Sequence, residues 1–415
     1  MSEVKVNKVS PRSGTTLTIG DSGDTTNIVG TLQNNGGGLP GVTFKEGGTN
    51  FTNSLLVGTD GTGTLSSAIG NTGVGSGVLA SLTSGDYNVA IGCNSLTSNT
   101  TGIQNVAAGF DSLGDNTTGR YNTAFGHGAA ALSTTTCHNT AIGYASLNNN
   151  TAANNTALGA SALQTNTTGA ENTALGANAL DANTTGEKNV AIGKDALTTD
   201  TLGSRSIAIG HSSLKNQNFT SATNSNNVAV GFFAGEDITT AVCNTIIGSQ
   251  AGEKITTGSN NVAVGFDSLS SNTTGACNTA IGVQALDAST TANQNTAIGM
   301  LSMTATTSGI RNTAVGRQSM CANTTGCCNV AMGSNALASG TTGDFNVAVG
   351  GAALGSVNTG NCNTAIGACA MNTNTSGANN TAVGKDSLLA NTTGGSNIAV
   401  GGEALYANTT ANHNI

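Results

Sequence analysis

The chain has 415 residues and a formal net charge of −8, with 59 glycines, 3% aromatic residues and 8% charged residues. Ordinary globular domains carry about a quarter charged residues, and no cluster of Lys or Arg here could bind a nucleic-acid backbone. No apolar stretch approaches the ~20 residues of a membrane span, and the first residues lack the apolar core of a secretion signal. Evenly spaced Ile, Val and Leu among small polar residues favour a repeat protein over a disordered chain.

Residues 1–57 differ in composition from the rest of the chain. They hold both prolines, Pro11 and Pro40, four of the 13 Lys and Arg residues, and an Asn-Asn-Gly-Gly-Gly run at 34–38. We interpret them as an attachment segment with a flexible joint. The remainder, 58–415, is predicted to be a repeat shaft with irregular coils up to about residue 87, including a degenerate motif copy that ends at Gly70.

The motif N-[TV]-A-[IVL]-G sets the period of the shaft. Its glycine, numbered position 0 below, recurs 19 times; of the 18 intervals, sixteen are 17 residues, one is 16 and one is 21. So constant a period predicts stacked structural repeats. The motif glycines are Gly92, Gly109, Gly126, Gly143, Gly159, Gly176, Gly193, Gly210, Gly231, Gly248, Gly265, Gly282, Gly299, Gly316, Gly333, Gly350, Gly367, Gly384 and Gly401.

Each position of the repeat has its own chemistry. Position −4 is Asn and position −2 is Ala in 18 of 19 copies, position −1 is always apolar, and position +4 is Leu or Met in 16 copies. A turn of the Asn-Thr-Thr-Gly type follows, as at 116–119. Two glycine turns and β-branched residues within 17 residues favour short strands over a helix. We therefore predict an all-β parallel β-solenoid of about twenty 17-residue coils.

Strand alternation divides these positions between two faces. Positions −3 and −1 share one face, and positions −4 and −2 share the other. The strict Ala at −2 indicates a close approach of backbone or of a neighbouring chain. We predict that positions −1 and +4 are buried, as at Ile142, Ile192, Ile281, Ile366, Leu147, Leu197 and Leu286. Positions +1 and +2 are predicted to be exposed, as at Lys194, Asp195, Arg317 and Gln318.

Stacking at about 4.8 Å should align the Asn residues at −4 into a side-chain amide ladder. The same geometry leaves each coil a very small interior, so that one chain alone would bury little apolar surface. This argues for an oligomer. The predicted ladder comprises Asn244, Asn261, Asn278, Asn295, Asn312, Asn329, Asn346, Asn363, Asn380 and Asn397.

One interval, from Gly210 to Gly231, is four residues longer than the others. We predict a surface bulge around residues 215–222 that leaves the stack undeformed. Loops that interrupt a regular scaffold often carry partner contacts, and a harmless insertion is the alternative interpretation. The residues of the predicted lateral contact loop are Lys215, Asn216, Gln217, Asn218 and Phe219.

No residue pattern indicates catalysis, a cofactor or a metal. Four of the nine cysteines share position +12, but none lies in the coil next to another, which places them too far apart for a disulfide. We expect free thiols, and we expect the four histidines to be solvated. The coils do not follow the six-residue pattern of hexapeptide acyltransferases. Thr at +8 in 17 of 19 copies suggests ice binding, but the second Thr is adjacent rather than two residues away.

The Asn-x-Ala-Ile-Gly half of the repeat resembles the head repeats of trimeric adhesins, although the coils here are longer. Those heads are left-handed parallel β-rolls wrapped three at a time around one axis. Residues 5–24, KVNKVSPRSGTTLTIGDSGD, look like the start of tail-fibre proteins of marine bacteriophages. Together these resemblances imply a homotrimeric fibre that is assembled in the host cytoplasm.

The resemblances also imply what such a fibre would contact. Its N-terminus would attach to a virion or tail adaptor protein, and the shaft would mediate or support contact with a host-surface glycan or protein. An extracellular adhesin or structural filament of a bacterium is the alternative. Neither nucleic acid nor a membrane span is expected among its partners.

Overall fold

The computed structural model describes residues 44–46, 51–58, 64–356 and 359–415. Within these ranges the chain forms 26 short strands and no helix. The strands are β1 (Phe44–Glu46), β2 (Phe51–Thr52), β3 (Leu55–Val57), β4 (Ala68–Ile69), β5 (Thr72–Val74), β6 (Val89–Ile91), β7 (Val106–Ala108), β8 (Thr123–Phe125), β9 (Thr140–Ile142), β10 (Thr156–Leu158), β11 (Thr173–Leu175), β12 (Val190–Ile192), β13 (Gly203–Ser204), β14 (Ile207–Ile209), β15 (Thr223–Asn224), β16 (Val228–Val230), β17 (Thr245–Ile247), β18 (Val262–Val264), β19 (Thr279–Ile281), β20 (Thr296–Ile298), β21 (Thr313–Val315), β22 (Val330–Met332), β23 (Val347–Val349), β24 (Thr364–Ile366), β25 (Thr381–Val383) and β26 (Ile398–Val400).

One sheet of 22 strands runs the length of the described chain. All of its strands except β1 pair in parallel, and each residue faces the same position of the next coil: Ala280 lies opposite Ala297, and Ile281 opposite Ile298. Twenty steps of about 4.8 Å make a stack about 95 Å long. The predicted parallel β-solenoid of about twenty turns is confirmed.

The stack begins earlier than the sequence pattern indicated. Strand β3 pairs in parallel with β5, and β5 with β6, at the same 17-residue spacing as later coils. The motif copy in this region is therefore residues 71–75, Asn-Thr-Gly-Val-Gly, and not the copy that ends at Gly70. Strand β4, just before Gly70, instead pairs with β2 in a separate two-stranded sheet. Most of the predicted attachment segment, 1–57, lies outside the described residues.

The motif glycines make the turn after each strand. Their φ angles lie between +115° and +147°, a region that residues with a side chain rarely adopt. A Cβ atom on Gly282 would lie 2.6 Å from the carbonyl carbon and oxygen of Gly299 in the next coil. Glycine is therefore required by backbone conformation and by the closeness of the stacked turns.

In most coils three further positions, +2, +4 and +12, are left-handed without being glycine. In one coil these are Gln284, Leu286 and Gln294, with φ of 55°, 53° and 60°. The left-handed conformation at +4 accompanies an inward-facing Leu, and Leu286 is completely buried. The coil thus turns through side-chain-bearing residues as well as through glycines.

The core is a narrow column built from three positions of each coil: Ala at −2, Ala or Ser at +3, and Leu or Met at +4. Ala280, Ala285 and Leu286 of one coil all have 0% exposure. The predicted burial at +4 is confirmed, for Leu147 and Leu197 as well. Only a methyl group from the strand fits opposite the Leu, which explains why Ala is nearly invariant at −2.

The predicted burial at position −1 is wrong. Ile281 and Ile366 are 38% and 41% exposed, and Ile142 and Ile192 are only half-buried. The strand turns its Ala and Asn inward, so alternation places its apolar −1 side chain outside. At the other predicted positions, Lys194 and Arg317 are exposed as expected, whereas Asp195 and Gln318 are half-buried.

The exceptions to the repeat compensate for one another in volume. Ile246 replaces Ala at −2 before Gly248. Leu at +4 is replaced by Gly252 after the same motif glycine and by Gly235 one coil earlier. A Cβ atom on Gly252 would lie 3.0 Å from Ile246 Cδ1 and 2.8 Å from Ile255 Cδ1. The larger side chain therefore occupies the space that Leu fills in the other coils, and the core keeps its packing.

Candidate interaction surface

The Asn residues predicted to form a ladder all lie in one buried row at position −4. Asn278 Oδ1 accepts a hydrogen bond from the backbone N–H of Asn295 at 3.0 Å, and its Nδ2 donates to the carbonyl oxygen of Ala292 at 2.8 Å. Amide-to-amide contacts are longer, as from Asn278 Nδ2 to Asn261 Oδ1 at 3.2 Å. The row therefore ties side chains mainly to the backbone of the next coil, and it is part of the core.

A second interior amide row, at position +7, was not predicted. Asn183 Nδ2 donates to Asn166 Oδ1 at 2.7 Å and to the carbonyl oxygen of Gly186 at 3.1 Å. Asn391 repeats this contact with Asn374 at 2.9 Å. The sequence showed these residues as the Asn of Asn-Thr-Thr-Gly, a turn signal that equally suits an exposed loop.

The four extra residues after Gly210 lie within residues 219–224. Lys215, Asn216 and Gln217 keep ordinary coil positions, and Gln217 is completely buried in the +7 row. Phe219 is 6% exposed, so of the predicted contact loop only Asn218 is fully exposed, together with Thr220–Ala222 beyond it. Strands β14 and β16 pair in register across the insertion, so the stack is undeformed.

The outward side of the long sheet exposes a row of apolar side chains along the described coils. We call it the outer sheet face and define it by the side chains at −3 and −1, which are Thr279 and Ile281 in one coil. Exposed apolar side chains at −1 recur from Ile91 at 48% to Met332 at 45% and beyond. Extended apolar surfaces of this kind mark interaction sites on soluble proteins.

Aromatic rings border the outer sheet face near its N-terminal end. Phe110, His127 and Tyr144, at +1 in three successive coils, stack with ring centroids 5.0 and 5.4 Å apart. Tyr121 and His138 stack at 4.8 Å along the opposite border, at +12. All five residues are exposed, so His127 and His138 are solvent-accessible as predicted, and they also stack on neighbouring rings.

The borders of the outer sheet face are basic although the chain is acidic. Within 51–58, 64–356 and 359–415, six of nine Lys and Arg but only one of sixteen Asp and Glu, Glu171, lie at +1 or +12. The other acidic residues lie at other positions of the coil, and two of them at +2, Asp195 and Asp386, pair with the border residues Lys194 and Lys385. The six basic residues are Lys188, Lys194, Arg205, Arg311, Arg317 and Lys385.

The His, Cys, Asp and Glu residues of the described ranges are dispersed along the stack. Three or more His, Cys, Asp or Glu side chains converge nowhere in 51–58, 64–356 or 359–415 in a way that could hold a metal ion. All nine cysteines are free; Cys243, Cys277 and Cys362, at +12, are exposed. The described part of the chain has no helix capable of crossing a membrane.

No protein-family model matches the sequence, and no curated protein is significantly similar to it.

Proposed function

We propose that this chain is the shaft of a virion fibre, a phage tail fibre or capsid appendage, whose subunits associate as a left-handed homotrimer through the outer sheet face. The observation that supports this proposal best is the continuity of that face over about twenty coils. A β-solenoid with an apolar outer surface on one side needs a partner of the same length and repeat, and a second copy of the chain meets both requirements.

The distribution of charged residues supports an assembly with three-fold rotational symmetry. In a three-fold assembly each contact joins two different surfaces of neighbouring subunits. The basic borders at Lys188, Arg205 and Arg317 would then meet sides of the next subunit that carry acidic residues, such as Asp181 and Asp287. The fibre would attach to its particle through the N-terminal segment and present its length to a host-surface glycan or protein.

Mass measurement in solution tests the assembly. The expected native mass is three times 40.5 kDa, and the double variant I281D/I298D should dissociate or lose its fold because it places charges in the apolar contact. T274D, on an exposed turn of the adjacent coil, is the matched control and should remain trimeric. A stable folded monomer of the unaltered chain would contradict the proposal.

Location tests the biological role separately. Antibodies against the chain, used with gold labels in electron microscopy, should mark filaments on virus particles. Labels restricted to bacterial surfaces would instead support the alternative of an extracellular adhesin or structural filament.

A further inference from the structure

The interior amide row at +7 changes its chemistry at one coil. Asn183 is followed in the row by Asp200, which has 0% exposure. Asp200 Oδ2 accepts a hydrogen bond from Gln217 Nε2 at 2.6 Å, and Oδ1 accepts one from the backbone N–H of Gly203 at 2.9 Å. A carboxyl group therefore occupies an interior site at which neighbouring coils have a neutral amide.

The side-chain oxygen of the preceding residue in the row, Asn183, receives no hydrogen bond. Asn150 Oδ1 and Asn166 Oδ1 each accept from the amide of the next coil at 2.7 Å. Asn183 Oδ1 is buried and has no partner in the described structure. Asp200 holds the row position from which Asn166 and Asn183 each donate to the preceding coil. An ionised carboxylate there offers only acceptors.

The groups that face Asp200 are neutral. Asn183 and Gln217 lie before and after it in the row, and Gln217 Nε2 also donates to Ser206 Oγ at 2.9 Å. None of the ion pairs in the described ranges includes Asp200. A buried carboxylate without a cation is strongly disfavoured relative to the protonated acid.

Four charged side chains of the adjoining coils form ion pairs, and others are exposed to solvent. Lys194 pairs with Asp195, and Lys215 pairs with Glu236. Arg205 and Glu187 are exposed. None of them supplies a counter-charge inside the row.

We propose that Asp200 carries a proton in the folded shaft at neutral pH and donates it in a hydrogen bond to Asn183 Oδ1, forming a pH-dependent joint in the stack. At alkaline pH the proton passes to solvent, two buried acceptors then face each other, and the coil loosens. This joint lies one coil before the insertion at 219–224. It acts on the fold of a single chain and does not depend on the proposed function.

The direction of the pH effect follows from proton binding. Burial raises the pKa of the Asp200 carboxyl, and the hydrogen bonds from Gln217 and the backbone offset this only in part. Between the ordinary pKa of about 4 and the higher folded-state pKa, the folded chain binds more protons than the unfolded chain. Its stability therefore falls as pH rises through that window.

Infrared difference spectroscopy of the full chain tests the proton directly. The spectrum at pH 7 should contain a carboxylic-acid C=O band that D200N lacks and that D115N, which removes an exposed carboxylate, retains. N183A removes the acceptor, so the band should vanish at a lower pH than in the unaltered chain. Absence of the band from the unaltered chain at pH 7, or a band unchanged by D200N, would overturn the proposal.

Thermal unfolding of the same variants supplies a second readout. D200N restores the amide donor, so its melting temperature relative to the unaltered chain should rise by about 2 °C or more between pH 5 and pH 9. D115N should show no such trend. Parallel melting curves for D200N and the unaltered chain across this range would show that Asp200 is ionised, and would likewise overturn the proposal.

Discussion

Asn261 joins its coil to the next at two points. Its Oδ1 accepts a hydrogen bond from the backbone N–H of Asn278 at 3.0 Å, and its Nδ2 donates to the carbonyl oxygen of Gly275 at 2.9 Å. One amide thus satisfies a buried donor and a buried acceptor of the following coil. Its repetition in nearly every coil explains the strict choice of Asn over Asp, which cannot donate when ionised.

Substituting Asn261 by Ala should therefore destabilise the shaft strongly. The change leaves the N–H of Asn278 without its acceptor, whereas the carbonyl of Gly275 keeps its hydrogen bond from Asn272 Nδ2. One buried donor without a partner costs about 1–3 kcal/mol. Chemical denaturation followed by circular dichroism measures the loss. T274A, on an exposed turn of the same region, should cost less than about 0.5 kcal/mol. Equal effects for the two variants would mean that the −4 row contributes little.

The volume exchange around Ile246 predicts energetic coupling. G252L adds the usual Leu into space that Ile246 and Ile255 occupy, and should cost about 1–3 kcal/mol. I246A alone should also be destabilising because it leaves a cavity. Together the two substitutions remove the clash between Ile246 and the added Leu, although the close contact with Ile255 stays. The double variant should therefore be more stable than the sum of the single losses predicts by about 1 kcal/mol or more. Simple additivity would contradict this packing relationship.

The cysteines should differ in reactivity according to burial. Cys243, Cys277 and Cys362 are exposed, whereas Cys321 is half-buried and burial raises the pKa of its thiol. Because the thiolate is the reactive form, brief alkylation at pH 8 followed by peptide mass spectrometry should label these three thiols, and the exposed Cys93, before Cys321. Equal labelling after addition of denaturant is the control. Faster labelling of Cys321 in the folded chain would contradict the described burial.

The insertion should be removable without loss of the stack. Replacing residues 219–224 by Thr-Gly restores a 17-residue interval, and β14 already pairs in register with β16. We expect an unchanged circular dichroism spectrum and a melting temperature lower by only a few degrees. F219A alone isolates the contribution of the buried ring. Collapse of the fold in the replacement variant, but not in F219A, would show that the extra residues support the stack.

How far sequence reasoning succeeded depended on which physical signal was repeated. The spacing of the glycines predicted the parallel stack, and the recurrence of Leu or Met at +4 in 16 of 19 copies predicted the core at that position. The apolar residues at −1 misled because hydrophobicity does not distinguish a core from an exposed interaction surface. Ile281 and Leu286 are equally apolar, and only their opposite orientations, through alternation and a left-handed Leu, separate them.

The remaining features were hidden for other reasons. The early copy at 71–75 was missed because Gly73 stands in place of Ala, although the backbone register is the same. The +7 row was missed because Asn in a turn sequence is compatible with either solvent or core. The orphaned acceptor of Asn183 depends on atomic contacts between coils, which no one-dimensional pattern reports.

The left-handed residues at +2, +4 and +12 have a consequence for how the shaft forms. Each non-glycine residue in this conformation costs about 1–2 kcal/mol, so a coil with Gln284, Leu286 and Gln294 in place is disfavoured in isolation. Its hydrogen bonds are made almost entirely with the coils above and below. Folding must therefore overcome a nucleation barrier for the first coils and then proceed by templated addition at an open end, one coil at a time. A substitution that blocks one coil would stop propagation there and leave the remainder of the chain without a template.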